Sequence, residues 1–385
     1  IGSDNMAREN KSERPKAPYK LLYNNDTTNT AGPESPFHKR GEPFTEAKLV
    51  ASIEEVAGKG VDGYLLSPGM GWVPWWQSEV EPDFFEWWQK RTGLEVVGNR
   101  SGQGYEAYVY QGGDMVQVLI DTCRKHDMDP FVTLRLNDVH AQEQYVRKNQ
   151  RSLNSCRFYV EHPEWHIDPK HYKRKGYYGK RGMDWAVPQV REYKLKLLRE
   201  LAAKYDLAGL ELDFLRHSQL FRDNGPPADQ RIAMITDFVA EVRKALDGKK
   251  GKRRWLGVRI PLDGSAHPPL GLDVRKLYAA GVDMFNLSGW YNTTQHTDAA
   301  KVRELGGNVL MEKTPGRTAA DACALANLVT VPHVVGFNRR YMPINRRFAR
   351  MLSEAAAGPE SAAHTFFVEC HFYRHGRTYG NFVTH

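Results

Sequence analysis

The sequence predicts an α/β fold, a (β/α)8 TIM barrel with long loops on the C-terminal face, and three observations carry that prediction. Short apolar runs alternate with amphipathic helical runs along the chain. The strand-like runs number eight. The long connections follow strands rather than helices, which in a barrel puts them on the face where active sites lie.

The predicted strands, in order, are Lys20–Asn24, Gly63–Ser67, Phe131–Leu136, Gly209–Leu215, Leu256–Pro261, Met284–Ser288, Asn308–Glu312 and Val334–Asn338. Helical periodicity falls between most of them. Thr45–Lys59 precedes the second strand, Met115–His126 the third, Val187–Tyr205 the fourth and Pro227–Leu246 the fifth. Asp273–Ala280, Asp298–Leu305 and Ala319–Leu328 are shorter. No Gly-rich phosphate turn follows any strand, so an open doubly wound sheet ranks behind the closed barrel. Phe366–Tyr373 reads as one further strand, an edge addition or a slip in the count. Residues 1–18 are polar and charged and are expected to form a flexible arm. Residues 19–385 are expected to form a single catalytic barrel domain, a length this fold reaches with long loops.

Composition narrows the function classes. No apolar run approaches the roughly 18–20 residues of a membrane span, so no membrane partner is expected. The net charge of +8 fits a solvated basic surface, an anionic substrate or a nucleic acid. The basic runs Lys170–Lys180 and Lys249–Arg254 lack any nucleic-acid-binding signature, so nucleic acid is not expected. Cys123, Cys156, Cys323 and Cys370 show no CxxC spacing, which argues against a zinc knuckle or redox motif; one disulfide stays open. The start, Ile1-Gly-Ser-Asp-Asn-Met, reads as trimmed. The expected location is secreted or periplasmic, with no leader visible.

The strongest chemical segment is Gly209-Leu-Glu-Leu-Asp213-Phe-Leu-Arg-His217. Glu211 and Asp213 are two apart on a strand and share a face, while Leu210, Leu212 and Phe214 take the other. In a barrel the acidic face is the interior. Carboxylates there are costly unless hydrogen-bonded, paired with an arginine such as Arg135, Arg216 or Arg259, or used in catalysis. Glu312 closes the seventh strand, across a barrel from the fourth. Glycoside hydrolysis uses two carboxyl groups roughly 5 Å apart for retention and 6.5–9.5 Å for inversion, so Glu312 is the candidate partner. A surface Glu312 paired with Lys313 is the plain alternative.

The other strand ends are polar or aromatic as well. Asn24 and Asp26 end the first, Arg135, Asn137 and His140 the third, and Arg216 and His217 the fourth. Arg259 ends the fifth, Asn286, Trp290 and Tyr291 the sixth, and Asn338 and Arg339 the eighth. All are candidate substrate-binding residues, because a purely structural interior favours Val, Ile and Leu. Trp72, Trp75 and Trp76 follow the second strand and are candidates for a platform that stacks on sugar rings. Trp165 and His166 are weaker candidates of the same kind. Phe84, Trp87 and Trp88 have helical spacing and read as a small loop core. His162, His166 and His171 lie near Glu161, Glu164 and Asp168, but no HExxH spacing occurs and Pro163 and Pro169 break any helix. No metal and no cofactor are expected.

Three phrases carry a family resemblance: Trp185-Ala-Val-Pro-Gln-Val-Arg-Glu-Tyr193, Leu198-Arg-Glu-Leu201, and Lys204-Tyr-Asp-Leu-Ala-Gly-Leu-Glu-Leu-Asp-Phe-Leu-Arg216. With His162-Pro-Glu-Trp165 they resemble the bacterial glycosyl-hydrolase-like proteins related to family ten, over about residues 160–217. The resemblance implies a (β/α)8 fold, action on a glycan, and Asp213 as a central acidic residue with Glu211 beside it.

The expected function is therefore a glycoside hydrolase acting on a poly- or oligosaccharide, anionic ones included. Glu211 or Asp213 is the expected general acid/base, and Glu312 the nucleophile or second carboxylate. The alternatives are a carbohydrate-binding barrel without catalysis, and a metal-dependent hydrolase or deacetylase using the His162–His171 loop.

Overall fold

The computed structural model describes residues 15–27, 30, 42–69, 72–96, 105–139, 153, 155–168, 182–215, 217–249, 251–261 and 264–288. Beyond them, and for Asp26, it describes only the backbone of short strands. By internal contacts the chain divides into two compact units, Ile1–Gly336 and Phe337–His385, where the sequence suggests one domain from residue 19 onward. In the second unit, Glu369–Cys370 pairs antiparallel with Phe382–Val383, and Tyr373–Arg374 with Arg377–Thr378.

The first unit is built on one parallel sheet in chain order: β1 (Leu22–Asp26), β2 (Gly63–Ser67), β3 (Asp129–Arg135), β4 (Gly209–Asp213), β5 (Trp255–Pro261), β6 (Met284–Ser288), β7 (Val309–Glu312) and β8 (His333–Gly336). Each predicted strand overlaps an observed one. The first begins two residues later than predicted, so Asn24 sits in mid-strand rather than at its end.

Crossover helices separate the strands from β1 to β6, as parallel pairing requires. They are α1 (Glu46–Glu54), α2 (Met115–Lys125), α3 (Pro188–Lys204), α4 (Ala228–Asp247) and α5 (Val274–Ala279). Local chemistry fixes their starts. The Asp114 carboxylate accepts from the backbone N–H groups of Val116 and Gln117, both at 3.0 Å, and caps α2. Pro188 occupies the first turn of α3, where its missing N–H costs nothing.

The sheet is curled, and one contact shows it. Asn24 on β1 donates to Glu211 on β4 at 3.2 Å. In a flat sheet, strands three places apart lie about 14 Å apart, at roughly 4.8 Å per strand. Only strong curvature brings the two side chains together.

The two faces of the sheet belong to different cores. Tyr64, Leu66, Val132, Leu134, Leu210, Leu212, Leu256, Val258, Ile260 and Leu287 point outward into the large core shared with the helices. Leu65 and Phe131 point inward, with Leu22, Trp255 and Met284 packed against them. Ala17 and Tyr19 join this inner cluster at the N-terminal end of the sheet. The Tyr19 hydroxyl donates to Asp129 at 2.7 Å, and its ring meets Phe131 edge-on. The backbone must come close to admit Phe131. A Cβ on Gly209 would lie 2.6 Å from the Phe131 ring and closer still to the Trp255 carbonyl, so only glycine fits.

Candidate active site

Going along the strands from that apolar floor, the inward face turns polar, then ionic. Two residues beyond the Phe131 tier lie Asn24, Thr133, Glu211 and Asn286. Two further lie Arg135, Asp213, Arg259 and Ser288 at the strand ends. Register enforces this stacking: Thr133 faces Glu211 and Arg135 faces Asp213 across β3 and β4, while Asp213 faces Arg259 across β4 and β5.

Glu211 is the hub of the middle tier. One carboxylate oxygen, Oε1, accepts from Thr133 Oγ1 at 2.7 Å and from Asn24 Nδ2 at 3.2 Å. The other, Oε2, accepts from Asn286 Nδ2 at 3.1 Å. All three donors are neutral, and the residue is buried. Gly257, its neighbour on β5, leaves space where a side chain would otherwise stand. Burial, followed by the nearby Asp213 charge, pushes the Glu211 carboxyl up to about 6; the Thr133 and Asn286 hydrogen bonds and the Arg259 charge pull the other way.

Asp213 has a different shell. Arg259 Nη1 donates to Oδ2 at 2.9 Å, Arg135 Nε lies 3.8 Å from the same oxygen, and the Leu215 N–H donates to Oδ1 at 2.9 Å. Two guanidiniums and a backbone N–H therefore surround this carboxyl group. Both arginines have other duties. Arg259 also donates twice to Ser288 Oγ, at 3.3 and 3.1 Å, and Arg135 Nη1 donates to Asp138 Oδ2 at 2.8 Å. Arg135 and Arg259, expected to hold sugar hydroxyls or anionic groups, thus pair internally with Asp138, Asp213 and Ser288.

Among the described residues, the loops after β3 and β4 are tied to each other. Asn137 donates to the Met183 and Gln219 carbonyls at 3.1 and 2.7 Å and accepts from Met183 N at 2.9 Å. Its amide ties loops together instead of awaiting a substrate. His217 Nδ1 accepts from Val139 N at 3.2 Å. The same nitrogen lies 3.9 Å from Asp138 Oδ1.

The tryptophan platform is overturned. Trp72, Trp75 and Trp76 are buried at 0, 2 and 1% exposure. Trp72 stacks on Tyr193 and carries the Lys194 ammonium on its face, Trp75 packs against Tyr105, and Trp76 donates to Glu200 at 2.8 Å. These rings and Phe84 join the large core shared with the helices, while Trp88 packs in a smaller cluster with Val96 and Ala107. Trp165 has His162 stacked on it at 3.6 Å. His166 is buried, bonds the Tyr159 carbonyl, and is held well down, to about 4, by burial. Among the described residues no group of three His, Cys, Asp or Glu side chains could hold a metal ion.

Of the remaining candidates, His140, Arg216, Trp290, Tyr291, Asn338 and Arg339 lie outside the described residues. Asp26 ends β1 opposite Ser67, described in its backbone only. Glu312 closes β7 opposite Gly336, two residues beyond Leu310, the backbone partner of Asn286. The sequence reading missed Thr133 and Lys194. Thr133 was findable from register, as the residue facing Glu211. Lys194 was findable as a lone lysine among Val190, Leu197, Leu198 and Leu201 on the buried face of a helix.

No family model matches this chain, and no curated protein matches it in sequence. Solved structures that resemble it are glycoside hydrolases and related enzymes with TIM-barrel-like folds. One is a cycloisomaltooligosaccharide glucanotransferase from Paenibacillus sp. complexed with cycloisomaltoheptaose, 14% identical, covering 71% of this chain and 37% of that one, with a TM-score of 0.41. Another is α-L-fucosidase isoenzyme 2 from Paenibacillus thiaminolyticus, 12% identical, covering 89% and 50%, with a TM-score of 0.48. A third is a maltogenic α-amylase from Thermotoga neapolitana, 14% identical, covering 84% and 68%, with a TM-score of 0.40. The chain spans half or less of the length of the first two. At these values the likeness assigns neither a family nor an activity.

Proposed function

We propose that the chain is a glycoside hydrolase on a closed (β/α)8 barrel, cleaving glycosidic bonds of an oligo- or polysaccharide, with Asp213 as the carboxylate nearest the reacting sugar. One observation carries this reading: the inward tier at the strand ends is ionic. Barrel interiors are otherwise filled by layers of Val, Ile and Leu. Here Arg135, Asp213, Arg259 and Ser288 occupy four adjacent strands at the C-terminal end, where desolvating charge is costly without a use.

The different surroundings of the carboxyl groups support a division of roles. Asp213, held by two hydrogen bonds and flanked by a second guanidinium, is suited to stabilise positive charge developing at an anomeric carbon. The acid role falls to a second carboxyl, and Glu312 at the end of β7 is the candidate, its register parity being that of Asn286. Glu211 lies one tier deeper with both oxygens engaged, so it supports Asp213 rather than meeting the sugar. With Arg135 and Arg259 internally paired, a neutral glycan suits this part of the site better than an anionic one.

The test is hydrolysis of a panel of neutral and anionic glycans by the unaltered protein, Asp213→Asn and Glu312→Gln. Turnover lost in both variants is expected; full turnover in both would sink the assignment. One observation favours the rival reading of a carbohydrate-binding barrel without turnover: both oxygens of Asp213 and of Glu211 already have partners. Glycan binding with no product from any member of the panel would select that rival.

A further inference from the structure

Arg259 is gripped from the strands on both of its sides. On β4, Asp213 is its backbone neighbour; on β6, Ser288 lies two residues beyond Asn286, its neighbour there. The guanidinium uses different corners for the two. Nη1 donates to Asp213 Oδ2 at 2.9 Å. Nε and Nη2, which form the fork along another edge, both donate to the single Ser288 oxygen, at 3.3 and 3.1 Å. A guanidinium is planar and rigid, so holding that edge fixes where the remaining corner points. The second cation beside Asp213, Arg135 Nε, stands 3.8 Å from the same oxygen, beyond hydrogen-bond range. The aim of Arg259 therefore decides how firmly Oδ2 is held.

The chemistry of residue 288 suits this task. Ser288 is fully buried and uncharged. A carboxylate in its place would split the charge of Arg259 between two anions. A hydroxyl takes both N–H bonds of the fork on its two lone pairs and leaves that charge to Asp213. We propose that Ser288 is a positioning residue for the site: by accepting from both nitrogens of the fork, it aims Arg259 Nη1 at Asp213. Its role in turnover rests on the glycosidase reading; its role in geometry does not.

The test pairs crystal structures with kinetics for three variants. Ser288→Ala removes the acceptor. Ser288→Cys fills the same space with a weak acceptor, and decides the matter if the alanine variant fails to fold. Ser288→Thr keeps the hydroxyl and adds a methyl group. The alanine and cysteine variants are expected to show Arg259 Nη1 withdrawn from Asp213 Oδ2 beyond the present 2.9 Å and out of hydrogen-bond range. On the glycan turned over fastest, their kcat is expected to fall by about tenfold to a hundredfold with KM little changed, as for a misplaced active-site group. Ser288→Thr is expected to keep Arg259 in place and recover most of that loss. A serine that only filled space would give the opposite order, with cysteine tolerated better than threonine. Arg259 unmoved in both the alanine and cysteine variants overturns the proposal, and so does an unchanged kcat with Arg259 displaced. Absence of turnover in the unaltered protein counts against the glycosidase reading alone, since the Arg259–Asp213 distance still decides this one.

Discussion

Replacing Glu211 by glutamine is expected to stabilise the protein at neutral pH, although it removes a charge from the centre of the site. The folded state holds the Glu211 carboxyl at about 6, against an ordinary value of 4.5. The folded protein therefore binds the proton more tightly than the unfolded chain does. The sign follows: Glu211's contribution to stability is fully present below about pH 4.5 and is lost as pH rises through about 6. At about 1.4 kcal/mol per pH unit, that gap makes the charged form cost about 2 kcal/mol at pH 7. Glutamine keeps the shape and carries no charge. Its oxygen can accept from Thr133 and Asn24 as Oε1 does now, and its NH2 would face Asn286. Asn286 Oδ1 is buried with no hydrogen-bond partner among the described residues, so a turn of that amide offers the new donor an acceptor. Equilibrium unfolding in urea between pH 4.5 and 8 reads the difference. Glu211→Gln should match the unaltered protein at the acid end and exceed it by about 2 kcal/mol at pH 7. A variant less stable than the unaltered protein at every pH, by a constant amount, would refute the account of the middle tier.

Three further outcomes follow from the packing. Arg259→Met takes the 2.9 Å partner from Asp213 and leaves a buried carboxylate short of charge; a loss of about 3–5 kcal/mol is expected in denaturant melts. Gly209→Ala drives a methyl into Phe131 and the Trp255 carbonyl; it should cost about 3 kcal/mol, seen as a lower thermal midpoint. Trp72→Ala should cost about 3–5 kcal/mol of stability as a core truncation, while glycan affinity measured by titration calorimetry in the folded fraction stays unchanged, because the ring is buried rather than presented to a sugar.

The parallel sheet was legible because parity is a strong signal. Strands buried on both faces read as short apolar runs, and a two-residue step keeps Glu211 and Asp213 on one side whatever the loops do. The Arg259–Asp213 pairing was among the alternatives for the same reason, since both residues sit at strand ends. What sequence could not fix was which faces of a long loop turn inward. Trp72, Trp75 and Trp76 look the same in sequence whether they form a loop core or a sugar platform. Their burial depends on Tyr105, Tyr193 and Lys194, which lie far away along the chain. The use of Asn137 was hidden likewise, because its partners Met183 and Gln219 come from two other loops. Lys194 was passed over because one lysine in an amphipathic helix reads as a snorkelling surface residue until its helix is docked.

The central claim is that the ionic tier around Asp213 is where a glycosidic bond is cleaved. The rate of glycoside cleavage by Asp213→Asn, relative to the unaltered protein on the glycan it turns over fastest, tests that claim most directly. The variant should be checked as folded by circular dichroism. The account expects cleavage to fall by about a thousandfold or more, about 4 kcal/mol of lost transition-state stabilisation. Cleavage at the unaltered rate by folded Asp213→Asn would contradict it.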